Sequence, residues 1–556
     1  MTGSSAIGAL ADEVVTELFD AEPLWPALLG IDSPGSATDG LGALDERSEQ
    51  EHRARLAVLA ERARALDPAT LPAADRVTRD VLLAQVRAVL DRIDSHAVEF
   101  TITDFFVAPA VGLLTQLPMI EPAGEERRRF PGRLAAIPAY LEQALQRHRA
   151  GAEAGRLPVA HLVRSAVAHL DRYLADPASD PLARRPAPDE RFAEQRAKLL
   201  AEVVRPGFAA YRDGLAELAP LGRPPERAGV CWLPEGERIY AALARTHTTT
   251  EHTPDELHDT GLRLIDELAG EYAEIGARVF GTGEPTEIFA RLRTDPALRW
   301  RDADELLATA RSAIGRAELA APGWFGRIPP QPWAVEAVPA AEAPGAAPAY
   351  YLRGTADGSR PGTYFANTHQ VTERFRHAAE ATAFHEAIPG HHFQLSIAVG
   401  LDELPLLRRI GGFNAYTEGW GLYSERLAFE MGLYSDDVSL LGMLSMDSMR
   451  AGRLVVDTGL HAKGWSRLQA VDYLREHTPM PLVEIESEVD RYLAYPGQAL
   501  SYMVGRLEIQ RLRRRSEQEL EGRFDIREFH DLVLGGGALP LSVLDTVAAD
   551  WVEERR

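Results

Sequence analysis

Five of the chain's 16 histidines, His369, His377, His385, His391 and His392, fall within 24 of its 556 residues. An even spread would place fewer than one in such a window. Imidazole is the commonest protein ligand for metals and the side chain that exchanges protons near neutrality. Within the window runs His385-Glu386-Ala387-Ile388-Pro389-Gly390-His391-His392. Two histidines one helical turn apart, with Glu beside the first, form the H-E-x-x-H arrangement, which binds Zn2+ from one helix face and uses the Glu as base toward water. Position i+4 here is Pro389, so the strict spacing fails. On an unbroken helix the next two histidines would stand roughly 9 to 10 Å along the axis from His385, too far to share one ion. Pro389 removes a backbone donor and Gly390 widens the accessible dihedrals. A bulge there is expected to return His391, in preference to His392, to ligating distance.

Catalytic zinc takes three protein ligands and keeps one position open, and two His with one Glu is a common set. The segment Tyr416-Thr417-Glu418-Gly419-Trp420-Gly421-Leu422-Tyr423-Ser424-Glu425 offers the carboxylate on another helix. Glu418 is expected as third ligand, with bare Gly419 and Gly421 letting its helix approach the His helix. Glu425, two turns on, is the reserve ligand or a partner that orients a ligand His. The expected ion is Zn2+, which Mn2+ or Co2+ could replace at such donors. Each residue taken singly is more often a satisfied core group or a solvated surface one. Their joint occurrence points to a metal.

Further along, Asp457 and His461 are four apart on one helical face, so the carboxylate is expected to orient the imidazole for donation to an oxyanion or leaving group. Tyr495, Gln498 and Tyr502 bracket Pro496-Gly497, a turn expected to aim a phenol at a tetrahedral intermediate. Arg450, Arg453 and Arg491 offer planar forks for a substrate carboxylate, with structural ion pairing as the alternative.

Helices must position these groups. Apolar residues at Leu257, Leu264, Ile265, Leu268, Tyr272, Ile275 and Val279 draw one helical stripe. Thr253, Pro254 and Glu256 write its start as a capping box with Pro at the first helical position. Phe192, Leu199, Leu200, Val203 and Val204 form a second stripe, which Pro206 is expected to kink or restart before Tyr211, Leu215 and Leu218. A helical run from about 371 to 384 leads into His385. Between 322 and 367 the pattern changes to short β-like runs, Trp333 to Val338, Ala349 to Leu352 and Thr363 to Asn367, interrupted by an Ala/Pro-rich linker at Pro339 to Pro348. The third run is expected as a sheet edge to which an extended peptide would add a strand. The stretch from Leu218 to Pro225 is the expected seam between an N-terminal helical lobe, 1–225, and a catalytic lobe, 226–556, with its small sheet at about 330–368.

Composition bounds the rest. With 60 Lys+Arg against 83 Asp+Glu the net charge is −23, which argues against nucleic acid as a partner. The single cysteine, Cys231, excludes an internal disulfide and a thiolate zinc cage. No basic and apolar leader is evident, and no run reaches the roughly 20 apolar residues of a membrane span, so a cytoplasmic protein is expected.

The segments HEAIPGHHFQ, YTEGWGLYSE, RLVVDTGLHAKGW (Arg453 to Trp465), RYLAYPGQALSYMVG (Arg491 to Gly505) and, upstream, PEGERIYAALARTHTTTEHTPDELHDTGL (Pro234 to Leu262) resemble the bacterial domain of unknown function 885. The resemblance runs through most of the chain in order. It implies a mainly α, two-lobed fold with a deep cleft and a small sheet beside the metal-binding helix, similar to thermostable carboxypeptidases and neurolysin-type zinc peptidases. Dipeptidyl peptidase III likewise has a stretched spacing between its two histidines. The function expected is zinc-dependent hydrolysis of peptide or amide bonds in small substrates, carboxypeptidase-like, with Glu386 as general base. The alternatives are a metal-dependent lyase or tailoring enzyme for a non-peptide metabolite, and a non-catalytic helical binding protein. Oligomeric state is not written in the sequence.

Overall fold

The computed structural model describes residues 5–31, 40–340, 343, 346–355 and 360–556. The chain is mainly helical and, among the described residues, carries one three-stranded sheet. Among the described residues no helix is long and apolar enough to cross a membrane.

Local signals explain many helix limits. In the helix Pro254–Phe280 the Thr253 side chain accepts from Glu256 N–H at 3.2 Å, and Glu256 accepts from Thr253 N–H at 2.8 Å. Its far end is closed by Gly281 at φ 73°, a left-handed residue that costs glycine little. Leu257, Leu264, Leu268, Tyr272 and Ile275 are buried along one face. The irregularity expected at Pro206 takes a definite form. The helix Glu190–Leu199 passes through one π-helical turn, Leu200–Val204, into the helix Arg205–Leu218, with the proline in its first turn. Leu200, Val204, Phe208, Tyr211 and Leu215 stay buried through the junction, so the wider turn keeps one apolar face in register.

The chain divides into two compact units that interleave along the sequence. Unit 1 comprises Met1–Leu243, Leu460–Leu468 and Val489–Pro496, and unit 2 the remainder. The division differs from a seam at residue 225, because two later segments return to unit 1. Its core gathers Leu134, Ile137, Leu141, Val163, Val204 and Phe208, all essentially inaccessible to solvent.

In unit 2 the strands are β1 (Trp333–Ala337), β2 (Ala349–Leu352) and β3 (Gly362–Ala366), in spatial order β1-β3-β2. β3 runs parallel to β1, with Val335 opposite Tyr364, and antiparallel to β2, with Tyr351 opposite Tyr364. The expectation that the third strand is an edge is therefore corrected: both its sides are paired, and β1 and β2 are the edges. The linker Pro339 to Pro348 lies in part outside the described residues. Its described part is tied down by Asn367, whose buried amide donates to Ala343 O at 2.8 Å and Ala346 O at 3.0 Å. The run leading to His385 is shorter than expected, a single turn at Val371–Glu373 and then the helix Ala379–Glu386.

Candidate metal centre

Three helices of unit 2 bring the site together. His385 and Glu386 are the last residues of Ala379–Glu386, His391 opens His391–Val399, and Glu418 lies in Asn414–Glu430. The expected bulge is a complete break. The backbone leaves the helical region at Ala387 and Gly390, and a new helix restarts at His391. Trp420, wholly buried, donates its indole N–H to the Pro389 carbonyl at 3.0 Å, which pins the break to the helix that carries Glu418.

His385 Nε2 lies 3.5 Å from Glu418 Oε2, and His391 Nε2 lies 3.7 Å from the same oxygen. One ligand atom from each of the three residues falls within 4.8 Å of the others. Ligands at 2.0 to 2.2 Å from a tetrahedral ion stand roughly 3.3 Å apart, so these separations suit a shared cation. The two imidazole rings are perpendicular, with centroids 4.8 Å apart.

Behind the three residues lies a supporting layer. His385 Nδ1 is 2.8 Å from Glu425 Oε1, and Glu425 is fully buried. Nδ1–H donated to that carboxylate leaves Nε2 as the free lone pair. Arg450, 5% exposed, sits 3.8 Å behind Glu425 Oε1. His391 Nδ1 pairs at 3.4 Å with Gln394, whose amide reaches the Tyr416 carbonyl at 3.4 Å. Burial disfavours charge on His385, but its hydrogen bonds with Glu418 and Glu425 outweigh that and raise its pKa to about 9. Burial would raise Glu418, yet the two imidazoles hold its carboxyl well below the usual carboxylate range. The cluster draws positive charge to this spot, a protonated imidazole or a cation in its place.

The two glycines divide their work. A Cβ on Gly421 would stand 2.6 Å from the His385 ring, so its bare backbone is what admits that ring. Gly419 instead faces Gly505 of the helix Ser501–Leu520. The expectation that both glycines serve the His helix is corrected for Gly419.

Other expected residues lie elsewhere. His392 turns to the sheet, with Nδ1 2.8 Å from the Tyr351 hydroxyl, and burial lowers its pKa to about 4. Asp457, fully buried, accepts from Gly497 N–H at 3.1 Å and so shapes the turn before Gln498, which is buried. His461, in unit 1, accepts from Val230 N–H and donates from Nε2 to the Tyr492 carbonyl, each at 3.0 Å. Burial takes its pKa down to about 3. Both ring nitrogens are engaged in holding backbone, which corrects its expected pairing with Asp457 and its expected role as a proton donor. Tyr495 and Arg491 also belong to unit 1, Tyr495 edge-on to Phe106 and Arg491 against the Tyr492 ring. Arg453 pairs with Glu488 at 2.8 Å and lies 4.5 Å over the ring of Tyr502, which Arg450 also approaches. Arg450 and Arg453 are thus buried ion-pair partners.

Sequence reasoning missed Gln394, Tyr351 and Tyr364. Gln394 was findable three residues after His391, one helical turn on. The Tyr364 phenol is buried and raised above its ordinary range, first by burial and then by the nearby carboxylate of Glu386. Tyr351 and Tyr364 signal themselves only through strand pairing.

No curated protein matches the chain. A candidate lipoprotein from Colwellia psychrerythraea has a crystal structure that superposes with a TM-score of 0.91 at 26% identity, covering 99% of each chain. A candidate lipoprotein of unknown function from Shewanella oneidensis superposes at 0.75 and 18% identity, over 98% of this chain and 100% of that one, and shares the fold. Residues 23–547 match a family model, and the chain belongs to that family: the bacterial proteins of unknown function DUF885.

Proposed function

We propose that the protein is a zinc-dependent hydrolase of peptide or amide bonds, a small-peptide exopeptidase, in which His385, His391 and Glu418 hold the ion and Glu386 is the general base. The observation that carries this reading is the convergence of three ligand atoms beside a Glu at the end of the same helix, with a buried carboxylate behind one imidazole. Zinc, when bound, supplies Lewis acidity toward a carbonyl and toward water, and Mn2+ or Co2+ would suit the same donors. Glu425 fixes the His385 tautomer by accepting a hydrogen bond from Nδ1–H, which leaves Nε2 to ligate. Glu386 is partly exposed, unlike its neighbour His385, which suits a group that works on water. There it takes a proton from the attacking water and delivers it to the nitrogen of the departing amine.

The test is Glu386→Gln. It is expected to keep about one zinc per chain, because Glu386 is outside the ligand set, and to lose roughly 10²- to 10⁴-fold in turnover of a short-peptide library. Parental turnover in that variant removes Glu386 as the base. A parental protein that holds no metal after zinc is added back, purified without chelator or nickel column, sinks the hydrolase.

A further inference from the structure

The helix Asn414–Glu430 must place several groups at once: Glu418 Oε2 within 3.7 Å of both imidazoles, Gly421 against the His385 ring, and Glu425 Oε1 at 2.8 Å from His385 Nδ1. Trp420 pins the middle of this helix to the break at Pro389. Its contact with the helix Ser501–Leu520 adds closeness without fixing position, because Gly419 meets Gly505 backbone against backbone. Bare backbones let two helices approach but offer no knob to stop one sliding along the other.

Position is set again near the end of the helix. One residue after Glu425, Arg426 enters a set of buried charges. Its Nε donates to Asp447 Oδ2, and its two terminal nitrogens donate to Glu271 at 2.7 and 3.1 Å. Asp447 is fully buried, and its other oxygen accepts from Arg506, the residue after Gly505. Asp447 thereby ties the ligand helix to the helix that it meets at Gly505. Three residues on from Asp447, on the same face of the helix Asp437–His461, Arg450 stands 3.8 Å from Glu425 Oε1.

The order of signs admits one register. Along the ligand helix Glu425 and then Arg426 meet Arg450 and Asp447 respectively. The screw step from one helical position to the next, about 1.5 Å along and about 100° round, would set Glu425 at the place of Arg426. A carboxylate would then face the carboxylates of Asp447 and Glu271, and like charges repel strongly away from water. The same step would carry Glu418 off the two imidazoles. Specifying register is the best-attested use of buried charge.

We propose that Asp447 is a positioning residue for the metal centre: through Arg426 and Arg506 it fixes the register of the helix that supplies Glu418 and Glu425. Its importance for turnover rests on the hydrolase reading above; its effect on the helix does not.

The experiment compares the parent with Asp447→Asn, Arg426→Lys and, as a control, Asp180→Asn, which breaks a buried ion pair with Arg205 in unit 1. In metal-free protein carrying isotope-labelled histidine, the downfield Nδ1–H proton signal of His385, identified by its loss in His385→Ala, follows the bond to Glu425. In cobalt-loaded protein the visible absorption follows the geometry around the ion, and zinc affinity is measured by competition with a chelator. Asp447→Asn is expected to shift or abolish the His385 signal, to alter the cobalt spectrum and to weaken zinc about tenfold or more. Arg426→Lys keeps the charge but loses the planar fork, and is expected to move the same readouts by less. Asp180→Asn is expected to lower Tm and leave all of them unchanged. A folded Asp447→Asn protein with the parental signal and spectrum overturns the proposal; if that variant does not fold, parental values in Arg426→Lys overturn it instead. Equal disturbance in Asp180→Asn also overturns it, since lost stability alone would then be the cause. A parent that takes up neither cobalt nor zinc sinks the hydrolase, and the metal-free His385 signal still decides the register.

Discussion

Gly421 stands three residues after Glu418, facing the ring of His385. In Gly421→Ala the new methyl would lie 2.6 Å from Cε1, 2.7 Å from Nε2 and 3.0 Å from Cδ2 of that ring, where ordinary contact begins at 3.4 Å. The ring has little freedom to escape, because Nδ1 is bonded at 2.8 Å to a carboxylate that is itself fully buried. Relief requires a displacement of roughly 0.7 Å, several times the ~0.2 Å by which metal–ligand distances vary. Zinc affinity should fall about 10- to 100-fold, roughly 1.4 to 2.7 kcal/mol, the cost of losing correct orientation at one ligand. Helix content should be unchanged, since alanine is the better helix former. The assay is competition for zinc against a chromophoric chelator, with circular dichroism as the control. Glu425→Gln should weaken binding comparably by a different route, loss of the charge behind Nδ1. Parental affinity in a folded Gly421→Ala protein would refute His385 Nε2 as a ligand.

The remaining expectations use simpler readouts. His391→Ala should lose zinc and His392→Ala should keep it, measured by emission spectrometry; the reverse pattern would exchange their roles. Because ligation needs a neutral His385 whose metal-free pKa is about 9, zinc affinity should rise about tenfold per pH unit toward that value and then level off. Affinity flat between pH 6 and 8 would contradict the raised pKa. In the metal-free fold the same raised pKa works the other way: its stabilisation is fully present below about pH 6.5, the unfolded value, and is lost as pH rises through about 9, which chelator-treated thermal melts would follow. Gly505→Ala would press a methyl on the Ala415 carbonyl and Gly419 Cα, costing about 1 to 3 kcal/mol and lowering Tm. An unaltered Tm would mean the two helices have room to spare.

Features whose cause is local were legible from residues alone. Thr253, Pro254 and Glu256 start a helix through contacts within four residues, and the capping box forms as expected. The β runs were placed to within a residue by their composition, but strand order was not, because β3 reaches the middle of the sheet through pairings with both other strands. Pro389-Gly390 announced an interruption. Whether the helix would bulge or break depended on Trp420, 31 residues away. His461 illustrates the opposite outcome: Asp457 four residues earlier suggested a pair, but contacts with Val230 and Tyr492 took both ring nitrogens. Arg450 and Arg453 have the residue type of an anion grip, and only burial beside Glu425 and Glu488 reveals what they bind.

The interleaving of unit 1 has a consequence for the order in which the protein is made. Its first 243 residues leave the ribosome long before Leu460–Leu468 and Val489–Pro496 exist. At 5 to 20 residues per second the wait is roughly 10 to 50 s. Through that interval Val230 N–H lacks its imidazole acceptor, and Cys231 lacks the Leu460 carbonyl that its thiol later meets at 3.5 Å. The N-terminal unit therefore completes itself only near the end of translation. Chains cut after Leu243, or carrying a reporter inserted between residues 243 and 460, will depend on chaperones far more than an independent domain of that length would.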